Sequence, residues 1–84
     1  METQVREILV KHSGLGDSVS GVDAGENLWQ LGMTSLASVQ VMVALEETFG
    51  VEIPDDKLRH ATFASVDNIM SCMRSLSPGV PDER

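Results

Sequence analysis

At 84 residues and 9.1 kDa the chain holds one small domain and leaves no room for a second, catalytic one. Its 42% hydrophobic and 23% charged residues supply a single core and exclude a disordered chain. A formal net charge of −7, from 6 Lys+Arg against 13 Asp+Glu, argues against nucleic acid as a partner, because a phosphate backbone needs clustered cations.

The single cysteine, Cys72, excludes a disulfide framework and a multi-thiolate metal site. No run approaches the ~18 apolar residues of a membrane span, and the start METQVREILV lacks a signal-peptide core with a cleavage site. A cytoplasmic protein without membrane insertion is expected, monomeric when free. Charge is unevenly spread: from His12 through Asp56 there are eight acids, Asp56 included, and no Lys or Arg. Such a field either steers a positively charged partner or is an ordinary solubilising surface.

In chain order, Glu2 to Ser13 places Val5, Ile8, Leu9 and His12 at helical spacing, and Gly14 ends the helix. From Gly14 to Thr34 runs a long connection rich in glycine but also in apolar residues, among them Leu15, Val19, Leu28, Trp29 and Met33. It is expected to be pinned by those residues and to include short helical turns, with Trp29 as a packing anchor. A second helix is predicted from Ser35 to Phe49, with Thr34 as N-cap and Gly50 as its stop. Val51 to Ile53 reads as an extended link broken by Pro54, after which Asp55 or Asp56 caps a short turn through Arg59. The last helix begins near Ser65 and carries Val66, Ile69, Met70 and Met73, with Phe63 as an apolar plug before it. Residues 1–76 form the domain, and 77–84, with two prolines and a charged end, are expected to be a flexible tail. These elements define an all-α bundle with a long first loop and a short third helix.

The second helix carries two apolar sets. Ser38, Val41, Met42, Leu45 and Phe49 form the core stripe, while Leu36, Val39 and Val43 repeat the spacing on another side. Either the helix is central in the bundle or its early turns face a partner. Ser35 stands in the first turn, where unpaired N–H groups and the positive end of the helix dipole favour an anion. On physics alone an ordinary capping serine is the favoured reading, because Ser and Thr are commonplace at helix starts.

Leu31-Gly32-Met33-Thr34-Ser35-Leu36, followed by Val41, Leu45-Glu46-Glu47, Phe49-Gly50 and Ile53-Pro54, resembles the acyl carrier protein family and the related peptidyl carrier domains. The resemblance spans Val5 to Met73 and implies a four-helix bundle whose signature serine carries 4'-phosphopantetheine. By position that serine is Ser35, with Gly32 supplying the tight turn before it and Leu36 lying beside the arm. Thr34 departs from the family's usual aspartate: it still caps the helix but offers no carboxylate to a magnesium ion or to a basic residue of the loading transferase. The helix after Ser35 also departs, since Ala37, Ser38 and Gln40 are neutral where fatty-acid carriers are acidic. The Gly-Met-Thr-Ser-Leu-Ala pattern is similar to that of stand-alone bacterial aminoacyl carrier proteins, which receive amino acids from ligases homologous to aminoacyl-tRNA synthetases.

The resemblance therefore implies a carrier and not an enzyme. It holds a group, first of all an aminoacyl group, as a thioester on the arm of Ser35. Its partners are a phosphopantetheinyl transferase, an ATP-dependent ligase and a downstream acyltransferase or synthase. Partner recognition is assigned to Thr34, Leu36, Val39, Gln40, Val43, Glu46 and Glu47. Two alternatives stand beside it: an acyl carrier for fatty-acid, polyketide or lipid-modifying synthesis, and an acidic helical adaptor with no prosthetic group. His12 and His60, 48 positions apart, form no defensible catalytic set. No metal is expected, because Glu52, Asp55 and Asp56 lack the spacing of a calcium loop.

Overall fold

The computed structural model describes residues 1–76, so the tail expected over 77–84 lies outside the described residues. Helix α1 (Glu2–His12) buries Val5, Ile8 and Leu9, the apolar positions at helical spacing. It ends where the Ser13 hydroxyl turns back to donate to the Leu9 carbonyl while its oxygen accepts from the Leu15 N–H. Gly14, at φ +83°, then reverses the chain. The ion pair on this helix joins Arg6 to Glu2, at 2.8 Å.

The long connection is organised by its apolar residues, as expected. A 3-10 turn (Gly16–Gly21) buries Val19, and Leu28 and Met33 enter the same core. Arg6 reaches across to the end of this turn, donating from Nη1 to the carbonyls of Val22 at 2.7 Å and Ser20 at 3.2 Å. Two backbone bonds tie the rest of the loop to the far end of the sequence. The Leu28 N–H donates to the Ala64 carbonyl (2.7 Å) and the Asp67 N–H to the Ala24 carbonyl (2.9 Å). These bonds answer the demand of a buried backbone for partners.

Helix α2 (Ser35–Phe49) has both its predicted ends. The Thr34 side chain accepts from the Ala37 N–H at 3.1 Å, and Gly50, at φ +66°, takes the left-handed conformation that closes the helix. Val41 and Leu45 are fully buried, and Ser38, Met42 and Phe49 flank them half-buried, so the core stripe is the predicted one. Leu36, Val39 and Val43 point outward. The helix is therefore not central: it buries one apolar stripe, and its second apolar set faces solvent.

After the extended link, Ile53 is buried and the chain makes two 3-10 turns, Asp55–Lys57 and His60–Phe63, in the position of the short third helix. The expected side-chain cap from Asp55 or Asp56 is not formed. Pro54 occupies the cap position, and its carbonyl accepts from the Lys57 N–H at 2.9 Å, which closes the turn through the backbone alone. Arg59, extended at φ −118° and ψ 155°, separates the two turns. Helix α3 (Val66–Leu76) buries Val66, Ile69, Met70 and Met73, and the Ser65 hydroxyl oxygen accepts from the Asn68 N–H at its start. Phe63 plugs the core just before it. The result is an all-α four-helix bundle with a long first loop. Among the described residues, no helix is long and apolar enough to cross a membrane.

Candidate functional site

Ser35 begins α2, and two local features put it there: Gly32, at φ +118°, makes the preceding turn, and Thr34 caps the helix. The first intrahelical bond of α2 runs from the Ser38 N–H to the Thr34 carbonyl, which leaves the Ser35 and Leu36 amides at the free, positive end of the helix. The Ser35 side chain is exposed and its hydroxyl makes no hydrogen bond among the described residues. That distinguishes it from most of the other serines. The hydroxyls of Ser13, Ser18, Ser20, Ser38 and Ser75 donate to backbone carbonyls, and that of Ser65 caps α3. Ser71 is also unbonded but sits in the middle of α3 rather than at a helix start.

Beside Ser35 opens a groove of about 340 Å³ between α2 and the 58–63 segment. Val39, Met42, Leu58 and Phe63 give it apolar walls. Trp29 and His60 stack across its rim with ring centroids 4.1 Å apart and planes 15° from parallel. The Trp29 Nε1–H donates to the His60 carbonyl at 2.9 Å, which fixes the pair. Arg59 also lines this groove, with its Nε donating to the Asp56 carbonyl. Trp29, Met42, Leu58, Arg59 and His60 were not assigned to the site from sequence. Only Trp29, a lone tryptophan in a loop, carried any signal there.

The other assigned residues divide between different surroundings. Thr34 serves as the cap. Leu36, Val39 and Val43 are 71%, 51% and 42% exposed, and with the exposed Gln40 they form an outward ridge beside the groove. Glu47 stands on the other flank, lining a cleft against α1 with Glu7 and Lys11. Glu46 is half-buried and one carboxylate oxygen accepts from the Ile53 N–H. Cys72 faces a second cavity of about 450 Å³ together with Lys57 and Asn68, and Arg59 lines both that cavity and the groove. Burial pushes its thiol above the ordinary cysteine range, and the nearby Lys57 ammonium offsets only part of that shift.

The fold thus places one exposed, unbonded serine hydroxyl at a helix start, at the mouth of an apolar groove. The family model described as "Phosphopantetheine attachment site" matches residues 3–68. The aminoacyl carrier protein of Agrobacterium fabrum is 35% identical over 79 residues, covering 94% of this chain and 95% of that protein. Two crystal structures of an engineered Bradyrhizobium japonicum glycine:[carrier protein] ligase, complexed with carrier protein from Agrobacterium tumefaciens, contain similar chains. The complex with AMP matches at TM-score 0.84 and 36% identity, covering 88% of this chain and 99% of that one. The complex with ATP matches at TM-score 0.84 and 35% identity, covering 89% and 97%.

The chain belongs to the phosphopantetheine attachment site family of acyl carrier proteins. It is a carrier protein, not an enzyme, and its cofactor is 4'-phosphopantetheine. That membership sets aside an adaptor without a prosthetic group. The residues fit the group: a free, exposed hydroxyl at a helix start offers both an attachment oxygen and a favourable place for a phosphodiester.

Proposed function

We propose that Ser35 carries the phosphopantetheine arm, and that the protein receives an aminoacyl group from an ATP-dependent ligase for delivery to a downstream acyltransferase or synthase. When bound, the arm supplies a thiol that stores the group as a thioester. A phosphopantetheinyl transferase installs it. The observation that carries this reading is the Ser35 hydroxyl, exposed and unbonded in the first turn of α2 and opening on the groove.

The chain's own residues hold and present. Thr34 fixes the first turn, so the Ser35 backbone keeps one position beside the groove. Leu36, Val39 and Val43 give partners an apolar contact, Gln40 lies among them, and Glu47 adds charge from the flank. From Ser35 to Leu45 the helix has no ionisable side chain, so binding on this face rests on apolar burial more than on ion pairs. Tethering raises the effective concentration of the cargo at each docked partner, and modest affinity permits release. Similarity to an aminoacyl carrier protein and to carrier protein complexed with a glycine ligase, ATP and AMP supports a small amino acid as cargo. Loading that consumes ATP favours the cytoplasm as its location.

Intact mass and peptide mapping after treatment with a transferase test the attachment residue, with the arm expected on Ser35 and absent from Ser35→Ala. Thioester formation then tests the cargo, and it is expected to require ATP, the holo-protein and a small amino acid such as glycine. Loading only from malonyl or long-chain acyl donors would replace the aminoacyl reading with fatty-acid or polyketide carriage.

A further inference from the structure

We infer that Arg59 is a positioning residue for the prosthetic arm: its guanidinium pairs with the phosphodiester and draws the arm into the groove against the stacked Trp29 and His60 rings. This rests on Ser35 as the attachment residue. Ser35 and Arg59 line the same groove of about 340 Å³, although 24 positions separate them in sequence. Only the Arg59 Nε is committed, to the Asp56 carbonyl at 3.0 Å. Its two terminal nitrogens have no ion-pair partner among the described residues.

Charge makes this cation matter. From His12 to Asp56 there is no Lys or Arg, and the formal net charge is −7. A phosphodiester on Ser35 adds another negative charge to a surface already short of cations, and Arg59 is the one Lys or Arg that lines the groove. The guanidinium suits a phosphate because several N–H donors lie in one plane. The arm continues from its phosphate into a branched hydrocarbon segment. The groove offers matching chemistry in Val39, Met42, Leu58 and the flat face of the Trp29 and His60 pair. A solvated arm would gain neither contact.

The test uses holo-protein whose modification at Ser35 has been verified by peptide mass; absence of modification defeats the attachment reading and is scored separately. NMR then follows the Arg59 Nε–H, the indole N–H of Trp29, which is the single tryptophan, and the arm's phosphorus. Both nitrogen signals are expected to shift between apo- and holo-protein. In holo Arg59→Gln the phosphorus signal should move and the Trp29 shift should fall by more than half, with Arg59→Lys intermediate. Raising salt to 1 M, where the screening length is only about 3 Å, should reproduce part of that loss in the unaltered protein without reliance on any variant. Verified holo-protein with unchanged Arg59 and Trp29 signals would overturn the inference. So would a Trp29 shift that survives both Arg59→Gln and high salt undiminished.

Discussion

The carboxylate of Glu46 accepts a hydrogen bond from the backbone N–H of Ile53 at 2.8 Å, fastening the last turn of α2 to the link that follows it. The same turn is closed from the backbone, because the amides of Gly50 and Val51 both donate to the Glu46 carbonyl. Glu46 thus holds the corner on which Ile53 enters the core. Replacing it with alanine leaves a part-buried N–H without its partner, at a cost of about 1–3 kcal/mol. In a domain of this size each ~1 kcal/mol lowers the melting temperature by roughly 4–8 °C. Glu46→Gln keeps an acceptor oxygen and should lose less. Thermal unfolding separates the two, and ligase loading of the folded fraction should be little changed in either.

Thr34 is expected to act through its cap. Thr34→Ala removes the acceptor for the Ala37 N–H and should cost about 0.5–2 kcal/mol in urea unfolding. Thr34→Asp retains an acceptor at the same place and adds a negative charge at the positive helix end, so its stability should match or exceed that of the unaltered protein. It also supplies the carboxylate that the family commonly has here. Transferase assays should show arm attachment to Thr34→Asp at least as fast as to the unaltered protein, and slower attachment would mean that the hydroxyl itself is read.

Leu36→Asp and Val39→Asp should leave the fold within about 0.5 kcal/mol, since both side chains already face water. Their effect belongs to docking. Losing about 1.5–3 kcal/mol of apolar burial at an interface corresponds to roughly a tenfold to hundredfold fall in kcat/KM for loading. Leu45→Ala, in the buried stripe of the same helix, should behave oppositely and lose about 2–5 kcal/mol of stability. Glu47→Gln should mainly change the association rate and its salt dependence. Parallel loading kinetics and urea unfolding of all four variants check the division between the ridge and the core.

Cys72 should react slowly with thiol reagents near neutral pH. Burial raises its pKa, so the reactive thiolate is scarcer there than in an ordinary cysteine, and its rate should continue to rise at pH values where a free cysteine has levelled off. Holo-protein should therefore show one fast thiol from the arm and one slow thiol from Cys72. Timed alkylation followed by intact mass distinguishes them, and Cys72→Ser should remove only the slow phase.

The three α-helices and their ends are legible in the amino-acid order because each signal is local. Apolar spacing marks the buried faces, Thr34 and Ser65 start helices through bonds to residues three positions on, and Gly14 and Gly50 turn the chain by their own backbone freedom. Ser35 and its neighbours are legible for the same reason, as one continuous motif. The groove beside Ser35 is decided only in three dimensions. Trp29 meets His60 and Arg59 lines the same space as Ser35 because Leu28 and Ala24 are bonded to residues near the end of the bundle, which folds the long loop and the 58–63 segment onto one side of α2. The short third segment shows the same limit. Asp55 and Asp56 have the residue type of a helix cap, but Pro54 takes the cap position and the extended Arg59 divides the segment, so backbone geometry overrides side-chain preference. Periodicity and capping report what a residue does within a few positions of itself. Which distant side chains share a cavity depends on the path the loops take through the core.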